Sequence, residues 1–280
     1  MPISFLSQRK IIHLSGDDTV NFLQGLISND ARKLLKNEVI YTALLSPQGK
    51  FLYDFFIIPW YENIFLDVAE NRAADLLSRL KMYRLRSKVE IEFTDDLCVA
   101  AIWGNNSVSP IETSEYKLYQ DPRLTALGFR IIGKEKSIKE SFKNFALKDE
   151  YERSRIDLCV PDTTDMIVEK SLLLEFGFEE LQGVDFSKGC YVGQEVTARS
   201  KFRGQVRKSI YKIIGEETDQ LPAIGTPIIS GAKTIGELRT SIKNIGIAII
   251  NSDDYEATKN AGETFLCNGK IVQIISPNWR

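Results

Sequence analysis

Eight consecutive residues, Lys188-Gly189-Cys190-Tyr191-Val192-Gly193-Gln194-Glu195, form the most unusual stretch for chemistry in this 280-residue chain. Two glycines bracket a cysteine and a tyrosine, and glycine permits positive φ and close approach of backbone to a ligand. Gln194 to Arg199 contains good helix formers, so the spacing puts Cys190 just before or within the first turn of a helix. A thiol there meets the positive end of the helix dipole with Lys188 close by, and both favour a reactive sulfur. The alternative is structural: the glycines build a tight turn and Cys190 merely packs. The residues by themselves leave these two readings even.

The charge pattern adds a second candidate. Thirty-six Lys and Arg stand against 38 Asp and Glu, a net charge of −2, which argues against a generic, strongly basic nucleic-acid binder. Two segments depart from that average. Residues 79 to 88 carry Arg79, Lys81, Arg84, Arg86 and Lys88 with no acid. Residues 188 to 208 carry Lys188, Arg199, Lys201, Arg203, Arg207 and Lys208 against Glu195 alone. Brought together they would make a cationic face for a carboxylate-rich or phosphorylated small molecule; kept apart they are two solvated faces.

The remaining chemistry is sparse. Cys98, Cys159 and Cys267 are widely spaced and no C-x-x-C occurs, so local zinc or ferredoxin-type ligation is unsupported and the three read as reduced, packed thiols. The one histidine, His13, lies in the strand-like Ile11-Ile12-His13-Leu14 and reads as structural. Any acid–base role therefore falls to carboxylates. Trp60, Trp103 and Trp279 read as core or surface aromatics, whereas Tyr191 adjoins Cys190 and is placed to stack or hydrogen-bond at a pocket. No stretch reaches the roughly 18 apolar residues of a membrane span. The first ten residues lack a long apolar segment and a small-residue cleavage site, so a cytoplasmic, reducing location is expected.

The elements that must carry these residues are legible by periodicity. The length implies about two domains. After Ser15, Val20, Phe22, Leu23, Leu26 and Ile27 recur at helical spacing up to Asn29-Asp30. Val39–Leu45 and Phe51–Ile58 read as strands about a hairpin loop, Ser46-Pro47-Gln48-Gly49-Lys50. Further strands are expected at 63–68, 89–93, 97–103 and 127–132, with helices at 71–83 and within 134–147. Residues 104 to 122 read as a polar loop and 151 to 182 as mixed. After Arg207, short strands at regular spacing predict a small all-β barrel or sandwich, with a boundary near 205 to 210.

The Lys188–Glu195 octapeptide resembles the signature of the YgfZ-type folate-binding proteins, in the superfamily of the glycine-cleavage T-protein (aminomethyltransferase). Its flanks agree: Phe186-Ser187 before it, Arg199 and Phe202-Arg203-Gly204 after it, and Leu174-Glu175 eight residues ahead of Gly183. Phe22 to Asp30, Gly49-Lys50 with Asp54, and Tyr83 to Val89 are similar to further family segments, so the resemblance runs from about residue 11 to 250. It implies an α+β, three-lobed, ring-like fold of the folate-binding aminomethyltransferase type with a small C-terminal β-barrel. The lobes would be 1–45 with 149–207, 46–148, and 208–280.

The resemblance also implies a tetrahydrofolate site. Glu175 would accept N–H bonds from the pterin edge, and Arg199, Arg84, Asn29 and Asp30 would complete folate binding. Cys190 would be the essential thiol, in a motif of Lys188, Gly189, Tyr191, Gly193, Gln194 and Glu195. The implied function is a tetrahydrofolate-binding factor supporting assembly or repair of iron–sulfur clusters, with client or assembly proteins as partners, in the mitochondrial matrix of a eukaryote. The alternative is a tetrahydrofolate-dependent aminomethyl or methyl transferase or demethylase using Asp54 or Glu175; a third is a binding module in which folate is structural. Two departures bear on this. The T-protein's Gly-Gly-Ile-x-Asp-Asp segment is replaced by Gln48-Gly49-Lys50-Phe51-Leu52-Tyr53-Asp54, which counts against aminomethyl transfer. Cys159-Val160-Pro161 stands where the family has a Gly-Ile-Pro-like turn.

Overall fold

A computed structural model describes residues 1–104, 109–204, 206–218 and 220–280. The chain opens with β1 (Ile3–Phe5), β2 (Arg9–Ser15) and a short helix α1 (Thr19–Gln24). Strands β3 (Ile40–Leu45), β4 (Phe51–Trp60) and β5 (Asn63–Ala69) lead into helix α2 (Glu70–Arg84), β6 (Glu90–Thr94) and β7 (Cys98–Ile102). Next come β8 (Ile111–Glu112), β9 (Tyr116–Gln120), β10 (Phe129–Gly133), α3 (Glu135–Ser141) and α4 (Lys148–Asp157). A stretch of short 3₁₀ turns precedes α5 (Gln194–Phe202). The remainder is β11 (Lys208–Ile214), β12 (Pro227–Ser230), β13 (Lys233–Ile242), β14 (Ile245–Asn251), α6 (Ser252–Ala261), β15 (Phe265–Cys267) and β16 (Lys270–Ile275).

These strands form three bodies. One antiparallel sheet has the order β3-β4-β5-β2-β6, another β1-β7-β10-β9-β8, and β11-β14-β13-β12-β15-β16 closes as a barrel. The α+β class and the barrel after Arg207 are as the sequence predicts. All ten residues of β4 are buried, because Phe-Leu-Tyr-Asp-Phe-Phe-Ile-Ile-Pro-Trp feeds apolar side chains to both faces of its sheet. Tyr53, Phe55 and Ile57 join the cluster with Leu76 and Leu80 of α2, whereas Phe56 and Ile58 join the large cluster toward α4 and the barrel. The β3–β4 hairpin, paired from Ile40↔Ile57 to Leu45↔Phe51, crosses residues 45–46 within one sheet.

Three expectations need correction. Residues 109–122 are not merely a polar loop: β8 and β9 complete the second sheet, because Leu118 and Tyr119 pack inward behind polar neighbours. The part of that loop at 105–108 lies outside the described residues. The helix after Ser15 starts later and is shorter than the periodicity suggests. Gly16, at φ +111, brings the backbone so close to Lys88 that a Cβ would meet its carbonyl oxygen at 2.2 Å, and the cap position falls to Asp18. The mixed region holds most of α4, whose charged sequence Lys-Asp-Glu-Tyr-Glu-Arg-Ser-Arg-Ile-Asp hides its three buried residues, Tyr151, Arg155 and Ile156.

Buried charge links the two sheets to the segment after α4. Asp67 of β5 accepts from Arg9 Nε of β2 at 2.5 Å and from Arg130 Nη2 of β10 at 2.6 Å. Asp121 takes a two-pronged bond from Arg123, through Nε at 3.0 Å and Nη2 at 2.8 Å. All three guanidiniums lie over the Phe56 ring, Arg130 nearest at 4.2 Å. His13 is structural, as its strand implied: its Nε2 lies 2.7 Å from Asn63 Oδ1.

Candidate functional site

The Cys190 turn is built from three anchors. Lys188 is buried, and its ammonium donates to the carbonyl oxygens of Gln24, Ile27 and Asn29 at 2.8, 2.6 and 2.8 Å. These are carbonyls at and just beyond the C-terminus of α1, where a cation is favoured. Burial pulls its pKa down to about 8, which leaves it mostly protonated and able to donate all three bonds at neutral pH. The Val192 N–H donates to the Gly25 carbonyl at 3.3 Å. Gly193, at φ +82, caps α5 and packs so tightly on the β3–β4 loop that a Cβ would lie 2.5 Å from the Ser46 carbonyl oxygen. Gly49 of that loop meets Val196 of α5 equally closely, at 2.6 Å. The two glycines thus lock a hairpin loop against a helix start.

On this brace the thiol is presented outward. Cys190 and Gly189 are exposed, and a Cβ on Gly189 would touch nothing within 4 Å. The other cysteines differ. Cys159 and Cys267 are buried and Cys98 is half-buried, with burial pushing the Cys98 thiol up to about 11. Cys190 lies three residues before the α5 cap, ahead of the helix and not in its first turn. The expected help from Lys188 also takes another form, since its ammonium is turned inward to carbonyls. The lysine sits 4.9 Å over the Tyr191 ring, which is buried beneath the turn as a core residue. Replacing Lys188 by Met should therefore cost about 2–3 kcal/mol, because three carbonyls, those of Ile27 and Asn29 buried, lose their donor. Urea unfolding measures that loss, and faster proteolysis near residue 190 would report the loosened turn; unchanged stability would contradict the anchoring role.

Glu175 occupies a second feature, reached through the other end of the same helix. It sits on the 3₁₀ turn Leu173–Phe176 and lines a cavity of about 280 Å³ with Leu172, Leu174, Thr197, Ser200, Val206, Arg207 and Lys208. Its carboxyl forms no ion pair among the described residues, and burial raises its pKa above the ordinary value. Gly177, at φ +70, ends the turn, and the Trp279 ring fills the space its Cβ would take, at 2.5 Å. Trp279 Nε1 donates to the Leu158 carbonyl at 2.8 Å, so the chain's last residues brace the turn that carries Glu175.

The other expected ligand residues are placed elsewhere. Thr197 and Ser200, three apart, face the cavity, so helical periodicity turns Arg199 outward, where it pairs with Glu195 at 2.6 Å. Gln194 and Glu195 line the same open outer groove as Arg199, Phe202 and Arg203. Asn29 is buried, and its amide donates to the Tyr41 and Gln182 carbonyls at 2.8 and 2.7 Å. Asp30 caps the following 3₁₀ turn, and Arg32 holds its pKa down to about 2. Arg84 lies at the end of α2, donating to the Val89 carbonyl and 3.6 Å from Glu90. Asp54 is 2% exposed and accepts from Tyr41 Oη at 2.9 Å and Thr163 Oγ1 at 2.6 Å. Burial and the nearby Asp162 carboxylate raise its pKa, and it does not line the Glu175 cavity. The glycine lock and the Trp279 brace escape sequence reading; Gly49 and Trp279 are visible letters whose partners lie over 100 residues away.

Comparison with known proteins places this geometry in context. Residues 6–122 match the family model described as the GCVT N-terminal domain, and residues 203–280 match that of the CAF17 C-terminal beta-barrel domain. A Mycosarcoma maydis protein named iron–sulfur cluster assembly factor IBA57 homolog, mitochondrial, is 36% identical over 219 residues, 72% of this chain and 54% of that protein. The Homo sapiens protein named iron–sulfur cluster assembly factor IBA57, mitochondrial, is 28% identical over 276 residues, 89% of this chain and 77% of that protein. The chain spans about half the length of the fungal relatives it matches. In structure it is similar to the glycine cleavage system aminomethyltransferase T from Bartonella henselae, with a TM-score of 0.74 at 13% identity, covering 100% of this chain and 86% of that one. The chain thus joins a GCVT-type N-terminal domain to a CAF17-type C-terminal β-barrel in one aminomethyltransferase-like fold, and its homologues are iron–sulfur cluster assembly factors.

Proposed function

We propose that this protein is a tetrahydrofolate-binding factor that supports assembly or repair of iron–sulfur clusters, with Cys190 as its working thiol. The observation that carries the reading is the Cys190 turn: an exposed sulfur on a backbone fixed by Lys188 and by the Gly193–Gly49 contact. A packed structural cysteine needs no such presentation. Among the described residues no group of three or more His, Cys, Asp or Glu could hold a metal ion. A cluster handled at Cys190 would therefore draw its other ligands from a client or assembly protein. The relatives' names place them in mitochondria, which supports a matrix location for this chain in a eukaryote.

The Glu175 cavity suits the pterin end of a folate. At about 280 Å³ it holds a bicyclic ring, not a whole folate. A bound aminopyrimidine edge offers parallel N–H groups, and a half-buried carboxylate without an ion-pair partner can accept both. Arg207 and Lys208 at the rim suit the carboxylate tail. Asp54 lacks access to this cavity, so the transferase or demethylase alternative has no acid–base group there beyond Glu175 itself.

Titration with tetrahydrofolate tests the site. Glu175→Gln should weaken binding by about 2–3 kcal/mol, roughly 30- to 150-fold, because one acceptor oxygen becomes a donor facing donors. Cys190→Ser should bind as wild type. The pH dependence has a definite sign. The carboxylate form binds, and its raised pKa means that protonation begins above the usual glutamate range. Affinity should therefore fall as pH drops from neutral toward 5, and the fall should vanish in Glu175→Gln. Equal affinity in both variants would remove the folate site from Glu175.

A further inference from the structure

The basic run at the end of α2 and the Cys190 turn are both tied to helix α1. Helix α1 is six residues long, about 9 Å. Its entry is tied to that run: the Lys88 N–H donates to Asp18 Oδ2 at 2.7 Å, and the Asp18 N–H donates to the Lys88 carbonyl. Its exit is tied to the Cys190 turn through Lys188 and Val192. The basic run and the Cys190 turn thus sit at opposite ends of one short helix, with exposed Asn21 and Gly25 between them.

The run ends in an unusual residue. Leu85 adopts φ +45 and ψ −106, a conformation that disfavours any side chain, and is 87% exposed. Met82 beside it is 62% exposed. Lys81, Arg86 and Lys88 are exposed around them and form no ion pair among the described residues. The acids in reach are few: Glu90 faces Arg84, Asp18 caps α1, and Asp17 is exposed beside it. A strained backbone that lifts a bare leucine into water, ringed by cations, serves no packing purpose in the chain itself.

We infer that the Leu85 tip and the Cys190 turn form one docking face for an acidic protein, whose apolar pocket takes Leu85 and Met82 and whose rim carboxylates meet Lys81, Arg86 and Lys88. Docking there brings that protein against the thiol. The inference rests on the reading of Cys190 as the working thiol. Charge complementarity selects an acidic partner. Two apolar side chains on a tip, without an extended amphipathic face, favour a protein pocket over a lipid surface.

The test uses the full chain in cells depleted of their own copy. Leu85→Gly eases the positive φ while removing the apolar contact, so its Tm and tetrahydrofolate affinity should equal or exceed wild type. The activity of an iron–sulfur enzyme should nonetheless fall at least fivefold, toward the Cys190→Ser level. A photo-crosslinker at position 85 should capture an acidic protein, and R86E with K88E should abolish both capture and activity. The charge-reversal pair carries the test on its own if Leu85→Gly fails to fold. Wild-type activity in Leu85→Gly alongside an inactive Cys190→Ser would overturn the docking face and leave the thiol's role standing. Wild-type activity in both would overturn both. Crosslinking to a second copy of this chain, or Leu85-dependent binding to phosphatidylserine vesicles, would reassign the tip and overturn the acidic-protein proposal.

Discussion

Cys190→Ser should reduce iron–sulfur enzyme activity in a depleted strain to the level of the empty vector while leaving the protein's Tm and tetrahydrofolate affinity unchanged. The first half follows from the proposed role of the thiol. Serine keeps the shape and the hydrogen-bonding capacity of cysteine but is a poor ligand for iron and a poor nucleophile at neutral pH. The second half follows from the structure. The side chain is exposed on a turn whose stability comes from Lys188, Val192 and Gly193, so the substitution should cost no more than about 0.5 kcal/mol. The contrast with Cys159→Ser separates the cases. Cys159 is buried in the large core cluster at φ +55, and a hydroxyl there is a stability lesion with no special effect on clusters. If Cys190→Ser restores wild-type enzyme activity, the thiol has no part in the function and the turn is a structural motif.

The reach of the sequence follows the range of the interactions that decide each feature. Strand β4 is legible because ten consecutive buried positions are mostly apolar letters, and the barrel is legible because its turns recur at short intervals. Strand β8 is not legible, because Ile111-Glu112 is exposed and owes its pairing to Leu118 and Lys117 across a turn. The octapeptide announces that something is built around Cys190, but not how. Lys188 suggests an electrostatic partner for the thiol on one-dimensional distance alone, whereas its ammonium turns to three carbonyls of residues 24 to 29. Arg199 suggests a ligand contact, yet the 3.6-residue period assigns the cavity to Thr197 and Ser200. Glu175 is found by its family position; its isolation in an apolar-walled cavity appears only when β11 closes over the Leu173–Phe176 turn.

Asp67→Ala should be the most destabilising single substitution in the N-terminal half, costing about 3–5 kcal/mol. Charged letters scattered over 120 residues give no hint of this, because Arg9, Asp67 and Arg130 meet only when β2, β5 and β10 pack together. The side chains of Arg9 and Arg130 are each 3% exposed and that of Asp67 is fully buried. Removing the carboxylate leaves two buried guanidiniums facing each other across a void, with Asp162 at 3.5 Å from Arg9 and Asp121 at 3.9 Å from Arg130 as their remaining counter-charges. The cost is therefore chiefly that of uncompensated charge, not of a lost contact, and this distinguishes the prediction. Adding Arg130→Ala to Asp67→Ala should recover part of the loss, giving a coupling energy of about 1–3 kcal/mol in a double-mutant cycle measured by urea unfolding. Additive losses would show that water reaches the cluster and screens it. A loss below about 1 kcal/mol in Asp67→Ala would show that the two sheets are held by their apolar contacts alone.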